Sequence, residues 1–461
     1  MRPKGGRSLA TTSETVREDG KTPFVTKPPI TRANAVIINT QCSSTRYQWL
    51  ALETIAVSGF GRARKGSGPM SLRLPRWESL SKDEQVPIIN LPLNKDLWAT
   101  GGPGTGKTVL ALYRASQALA ALKSSGTRGT VVFMIYNKSL RLYLQEALRE
   151  TEIADASATT WHSWLYQTYW RVTQSKVPEV RKYNPDWEQV VHRLSEHFDR
   201  SGPEIEHLFL DETQDFPKPL LQILRRAARV VSTFSDPNQR IHEASADNGA
   251  IGTVLRVASR RYRLTRNYRN TQQIASVAAL FRDASLPEPP SAPTRRGNKP
   301  EAIESDDLDQ ALRFVGRYAD NQPELQVGVL VPDYESRSTI HEALGQLLTK
   351  ARLQTYTNKN DEFTFELSGV KILTYDTAKG LEFDTVFLPL VGREHGLAMP
   401  TDLERNRLFV ACTRARTELY FLHSPATRSW AIETLIENSE LVDWYSIRSE
   451  DTNDGAEDLA F

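Results

Sequence analysis

Short, continuously apolar runs alternate with amphipathic helical patterns from Met70 to about residue 436. The runs fall at Leu97–Thr100, Val131–Tyr136, Leu208–Leu210, Val230–Phe234, Val327–Val331, Val370–Thr374, Val386–Leu390 and Leu419–Leu422. Between them, stretches such as Thr108–Leu122 and Ser139–Arg149 place apolar residues three and four apart, the spacing of one helix face. The runs have the length of strands. Alternation of such strands with helices predicts an α/β architecture with mainly parallel sheets.

Residues 1–69 lack this pattern. They are rich in Ser, Thr, Gly, Pro and basic side chains, and Gly61–Pro69 reads as a linker. Three readings stand open for this segment: a basic arm touching nucleic acid, an organellar transit peptide, or an over-extended gene model whose start is Met70. Composition narrows the rest. With 461 residues, 39% hydrophobic and 25% charged, the chain is that of a folded protein with two or three domains. No run nears the ~20 apolar residues of a membrane span. Cys42 and Cys412 alone exclude a disulfide framework and a cysteine-based metal centre, which leads to the expectation of a cytoplasmic protein. The net charge of +2 hides an asymmetry: residues 1–69 carry +7 and the last twelve carry −5. The core is therefore close to neutral, and nucleic-acid binding would rest on local patches and stacking.

Two strings carry chemistry. Gly101-Gly102-Pro103-Gly104-Thr105-Gly106-Lys107-Thr108 lies after one predicted strand and opens a predicted helix. Gly101, Gly104 and Gly106 let the backbone curl so that amide groups face phosphates; Lys107 neutralises them and Thr108 can hold Mg²⁺. The second string, Asp211-Glu212-Thr213-Gln214-Asp215, ends the run Leu208–Leu210. Carboxylates at a strand's C-terminal end face the ligand crevice of an open α/β sheet. Asp211 is placed to hold Mg²⁺ and Glu212 to act as general base on water. Together they predict ATP hydrolysis rather than passive nucleotide binding.

With these two strings the chain resembles the UvrD/Rep type of superfamily 1 helicases, and further family motifs follow in order over about Leu80 to Phe421. Leu80–Gln85 resembles the Q motif, implying that Gln85 reads the adenine edge. Asn137-Lys138 matches motif Ia, and Thr160-Trp161-His162-Ser163 resembles motif Ib. Both imply contacts to single-stranded DNA, with Trp161 stacking on a base. Asp236-Pro237-Asn238-Gln239 resembles motif III, implying that Gln239 senses the γ-phosphate. Asn267-Tyr268-Arg269 resembles motif IV, with Tyr268 on adenine and Arg269 on the γ-phosphate. Ala378-Lys379-Gly380-Leu381-Glu382-Phe383 is the most specific string of motif V and implies a ribose contact for Glu382. Arg407–Ala415 matches motif VI, implying that Arg414 is a second γ-phosphate arginine.

The sequence departs from the family in two places. Ile241–Ser245 lacks the aromatic segment usual after motif III, and Asp376 stands where motif V usually has histidine. Both weaken the expected base-stacking surface and leave the nucleotide site intact. In the aromatic stretch Trp161, Trp164, Tyr166, Tyr169 and Trp170, helical spacing puts most rings in the core, with Trp161 the expected exception. The basic run Arg256–Arg266 reads equally as a phosphate track or as ordinary surface.

The resemblance implies two tandem RecA-like P-loop domains, spanning 70–258 and 259–436, with a small helical insertion near 165–203 and an acidic C-terminal tail over 437–461. The intervals from Trp161 to Asp211 and from Arg269 to Thr374 are too short for the family's large accessory domains. The expected activity is an ATP- and Mg²⁺-dependent translocase or helicase, 3′ to 5′ on single-stranded or tailed duplex DNA, with RNA less favoured and no membrane partner. The alternative is a regulatory DNA-sensing ATPase that switches a partner nuclease, similar to the short UvrD-like subunits of prokaryotic antiviral systems such as Gabija. DNA repair or antiviral defence is the expected setting.

Overall fold

All eight apolar runs are strands in the computed structural model, which describes residues 75–136, 138–141, 157–236, 239, 248–282, 292–356, 363–364, 367–392, 398–425 and 428–447. Residues 1–69, and with them the expected basic arm, lie outside the described residues. The first sheet is built from β1 (Leu97–Gly101), β2 (Val131–Ile135) and β3 (Ser157–Thr160). A hairpin of β4 (Glu179–Arg181) and β5 (Asn184–Pro185) follows, and the sheet continues with β6 (Ile205–Leu210), β7 (Ala228–Ser235) and β8 (Arg261–Leu264). Its order is β3-β2-β6-β7-β1-β8, and every pairing in it is parallel.

Side chains alternate across this sheet with the period of two that a pleated strand dictates. Leu97, Ala99, Phe133, Phe209 and Phe234 face the helix Lys107–Ser125, burying its Leu110, Ala111 and Ala115. Trp98, Val132, Met134, Leu208 and Leu210 point the other way, against Leu220, Leu221 and Leu224 of the helix Lys218–Ala227. Burial on both faces explains why the sequence shows continuous apolar runs.

After β9 (Arg266–Thr271) and β10 (Ala292–Arg295), which pair with each other, comes a second parallel sheet. Its strands are β11 (Glu301–Glu304), β12 (Gln326–Val331), β13 (Leu353–Thr355), β14 (Gly369–Thr374), β15 (Phe383–Pro389), β16 (Ala415–His423) and β17 (Asp443–Ser446), in the order β13-β14-β12-β15-β16-β11-β17. The same alternation separates Val327, Val329 and Ile372, packed on Leu312 and Ile340, from Leu330, Leu373 and Val386, packed with Ile274 and Phe409. The helix Asp402–Cys412 starts with a capping box between Thr401 and Glu404, of the kind worth about 1 kcal/mol, and ends two residues before Arg414.

Three sequence expectations need correction. The first sheet reaches beyond 258, because β8 pairs along β1 from Trp98 to Gly101. The stretch Pro287–Pro300, whose many prolines with Arg295 and Arg296 read in the sequence as an extended surface loop, contains β10. Residues 443–446, assigned to the acidic tail, are the edge strand β17 beside β11; residues 448–461 lie outside the described residues. A four-residue edge strand such as Arg-Tyr-Arg-Leu is polar because one side of it meets water, so it carries no apolar run to detect. The helices Trp161–Thr173 and Trp187–Ser201, with the β4–β5 hairpin between them, stand where the helical insertion was expected.

Candidate active site

The C-terminal ends of β1, β6 and β7 bring the residues expected to bind nucleotide to one edge of the first sheet. Gly104 and Gly106 adopt left-handed backbone angles, φ +68° and +84°. A side chain at either would also collide: a Cβ on Gly104 would lie 2.2 Å from Asn267 Oδ1, and one on Gly106 2.4 Å from Gln85 Nε2. A Cβ on Gly101 would lie 2.8 Å from Thr105 Oγ1. The loop is thus glycine-rich for two reasons, its own curl and the close approach of segments on both sides. Lys107 is buried, donates to the carbonyls of Gly101 and Gly102 at 2.9 Å each, and stands 3.6 Å from Asp236. Its ammonium is held at the neck of a glycine loop that runs into a helix N-terminus, an arrangement that suits a phosphate.

Thr108 Oγ1 donates to Asp211 Oδ2 at 2.6 Å. Asp211 is fully buried, and its Oδ1 makes no hydrogen bond among the described residues. Burial, then the charge of Glu212, pushes the Asp211 carboxyl up to about 7. A hydroxyl beside a buried carboxylate with a spare oxygen is a donor set that suits a hard divalent cation. Glu212 sits in a left-handed conformation at φ +51°, accepts from Gln214 Nε2 at 2.6 Å and is buried. Burial raises its pKa, but Lys107 and Lys379 outweigh that and leave it below the ordinary value. The neighbouring carboxyls are pushed apart, one protonatable near neutrality and the other held ionised as a base must be.

The base side of the loop is braced from two directions. Gln85 donates from Nε2 to the Thr105 carbonyl at 3.0 Å and accepts from the Ser81 amide. The short helix Gln85–Ile89 is gripped by Arg114, which donates to the carbonyls of Ile88, Ile89 and Leu91 at 3.1, 3.0 and 2.9 Å. Glu84 accepts from the amide of Thr265 at 3.2 Å, and Asp83 pairs with Arg266, so the Gln85 segment is tied to the stretch leading into β9. Tyr268 then donates its amide to the Gly104 carbonyl at 2.8 Å.

The second lobe reaches the same cleft. Arg269 Nε donates to Glu382 at 2.8 Å, so the arginine expected at the γ-phosphate and the glutamate expected at the ribose hold each other. Arg414 is buried and donates to the carbonyls of Val410 and Leu381 at 2.9 and 3.2 Å. Burial, then Arg269, lowers its pKa to about 9, against the fields of Glu212, Asp236 and Glu382. Asn270 donates to the carbonyls of Thr413 and Ala415, joining β9 to the motif around Arg414. Gln239 is buried with its Nε2 unpartnered among the described residues.

One pair here had no role in the sequence reading. Lys379, 2% exposed, bonds Asp215, 0% exposed, at 2.7 Å and also donates to the Gln239 carbonyl. It links the end of the Asp211–Asp215 string, the Gln239 segment and the Lys379–Glu382 string across the two lobes. Nearby, Ser139 donates to the Thr377 carbonyl at 2.8 Å, and Leu140 fills the space where Gly380 would carry a Cβ. Asp376, the departure from the family pattern, is bound by Arg407 through both oxygens at 2.9 and 3.1 Å.

The residues assigned to nucleic acid fare differently. Asn137 lies outside the described residues, as does the stretch 241–245; Lys138 is exposed. Thr160 caps the helix Trp161–Thr173 by accepting from the Ser163 amide. Trp161 is 5% exposed, stacked on His162 at 3.4 Å and packed near Trp187 at 6.0 Å. The expectation of an open stacking ring at Trp161 is therefore corrected: it faces the insertion's core, and Trp170, 52% exposed, is the open ring of that stretch. Burial draws the half-buried His162 down to about 4 and keeps it neutral. Arg256, Arg260, Arg261, Arg263 and Arg266 are all exposed, with Arg261 lying 4.8 Å over the Trp98 ring.

Two family models match segments of this chain. Residues 329–424 match the UvrD-like helicase C-terminal domain, and residues 96–292 match the DNA/RNA helicase domain of Schlafen group 3. A candidate ATP-dependent DNA helicase of Acanthamoeba polyphaga mimivirus is 23% identical over 242 residues, covering 47% of this chain and 34% of that protein. The match thus spans about a third of the curated relative's length. Among solved structures, the C-terminal domain of a candidate DNA helicase from Lactobacillus plantarum shares 20% identity over 38% of this chain and 98% of that one, at a TM-score of 0.30. The arterivirus nonstructural protein 10 helicase in complex with DNA shares 13% identity over 73% of this chain and 63% of that one, at 0.35. At such scores the structural likenesses add nothing to the family matches.

Proposed function

We propose, from this chain's membership of the UvrD-like helicases, that it hydrolyses ATP between its two lobes and uses the cycle to move 3′ to 5′ along single-stranded DNA. The observation that carries the reading is convergence: Lys107, Thr108, Asp211 and Glu212 from the first lobe and Arg269, Glu382 and Arg414 from the second meet at one cleft. In this reading the phosphates take the place of the Gly101 and Gly102 carbonyls at the Lys107 ammonium. Glu212 accepts the proton of the attacking water, and the spare Nε2 of Gln239 donates to the transferred phosphoryl. Arg269 and Arg414 neutralise charge that develops there, which makes hydrolysis sensitive to how closely the lobes approach. A divalent cation held by Thr108 and Asp211 would neutralise phosphate charge.

Steady-state ATPase assays with and without single-stranded DNA test this. The expected rate rises with DNA, and Glu212→Gln lowers it by roughly 10²–10⁴-fold while nucleotide still binds. Hydrolysis indifferent to DNA would sink the motor. Stimulation without strand displacement on a 3′-tailed duplex would replace the motor with a DNA sensor.

A further inference from the structure

The β4–β5 hairpin departs from the economy of the rest of the first lobe. Arg181 pairs with Asn184, which leaves Lys182 and Tyr183 as a two-residue turn. Every residue from Glu179 to Asn184 is exposed, Val180 by 69% and Tyr183 by 68%. Tyr183 has φ +64°, a conformation that glycine or asparagine ordinarily supplies in such a turn and that strains a residue bearing a Cβ. A short hairpin whose tip buries nothing gains little from packing. It is held instead at its base, where Tyr166 donates to the Glu179 carboxylate and the Asp186 amide donates to the Pro178 carbonyl at 2.7 Å. The chain thus holds an aromatic ring in solvent, with Lys182 Nζ 5.2 Å from the ring centre and Arg181 next to it.

Place and charge say what such a tip fits. Glu179, the one acidic residue in the hairpin, sits at its base against Tyr166, and Arg181 and Lys182 stand at the tip. Trp170, four residues beyond Tyr166, shares that residue's helix face. Tyr166 itself lies six residues along the helix from the Thr160 cap, about 9 Å at the helical rise. An exposed ring beside two cations suits a base with its phosphates; a protein partner would ask for a contiguous apolar patch. We propose that the β4–β5 turn is a contact for single-stranded nucleic acid, with Tyr183 stacking on a base and Arg181 and Lys182 meeting phosphates. This rests on the functional reading above and extends its nucleic-acid path onto the insertion.

The test is equilibrium binding of a fluorescently labelled oligothymidylate by the full chain over a salt series. Tyr183→Gly removes the ring at a backbone position suited to glycine, so its melting temperature holds or rises. Its affinity falls roughly tenfold, and Tyr183→Trp restores it. Replacing Arg181 and Lys182 together by alanine lowers the slope of log affinity against log salt by about 1.4, near 0.7 for each phosphate no longer neutralised. If the wild type binds and Tyr183→Gly binds as tightly, or the salt slope of the double alanine variant is unchanged, the contact is wrong and the functional reading stands. If the wild type does not bind the oligonucleotide, both fall together.

Discussion

The nucleotide cleft and the helical insertion hold aromatic and charged residues in opposite ways. In the cleft, charged side chains are buried and each is held by named partners: Lys107 by two carbonyls, Arg414 by two more, Lys379 by Asp215. In the insertion, the residues that could recognise a strand stand on the outside, and the ring expected to do so, Trp161, is inside. Chemistry on a phosphoryl group needs fixed charges in a dry cavity, so its residues are over-determined by structure. Stacking and phosphate contact need only an open ring and mobile cations, so a fold can move them from one position to another.

The sharpest way to break that comparison is Trp161 itself. If it is a core residue, Trp161→Ala removes packing against His162 and Trp187 and costs about 3–5 kcal/mol of stability. Urea unfolding would show this as a lower midpoint with an unchanged slope. Single-strand affinity, measured where the variant is still folded, should change little. A stable variant with weakened binding would return Trp161 to the role that its sequence position implied.

A second effect, of similar size, is expected at Lys379. Removing one member of a buried ion pair leaves the other charge uncompensated, typically at ~3–5 kcal/mol. Because this pair joins the Asp211–Asp215 string to the opposite lobe, part of the loss should appear as coupling. Lys379→Met should lower DNA-stimulated hydrolysis by about ten- to a hundredfold, roughly 1.4–3 kcal/mol, and affect nucleotide affinity less. Pairing it with Asp215→Leu removes the stranded carboxylate and should recover stability without recovering stimulation. Recovery of both would make the pair a packing element.

How much of this was legible follows from the same contrast. That Lys107, Thr108, Asp211 and Glu212 would come together was legible because a glycine loop before a helix and acids at a strand end are local patterns with a chemical reason. Lys379 could not be given a role, since its burial depends on Asp215, 164 residues away on the other lobe. Glycine, leucine and glutamate beside it said only that the string was special. Trp161 was misread because sequence marks where a ring starts on a helix, whereas its side is set by Trp187 on the next helix. The strands β8 and β17 were missed because polar edges leave no apolar run.

The smallest effect concerns protons in the cleft. Burial and Glu212 raise the Asp211 carboxyl to about 7, above its ordinary 3.8. A raised carboxyl keeps a proton in the folded state that the unfolded chain has released, so between about pH 4 and 7 its contribution to stability falls as pH rises. A divalent cation at Thr108 and Asp211 needs the ionised form, so cation affinity should run the opposite way. Affinity should rise about tenfold per pH unit up to pH 7 and flatten above it. Calorimetric titration with magnesium or manganese from pH 5.5 to 8.5 would measure this, with a proton released per ion bound on the acid side. Asp211→Asn should weaken binding and remove the slope. A slope that survives Asp211→Asn would assign the proton to another group, with Asp215, also raised to about 7 by burial, the first to examine.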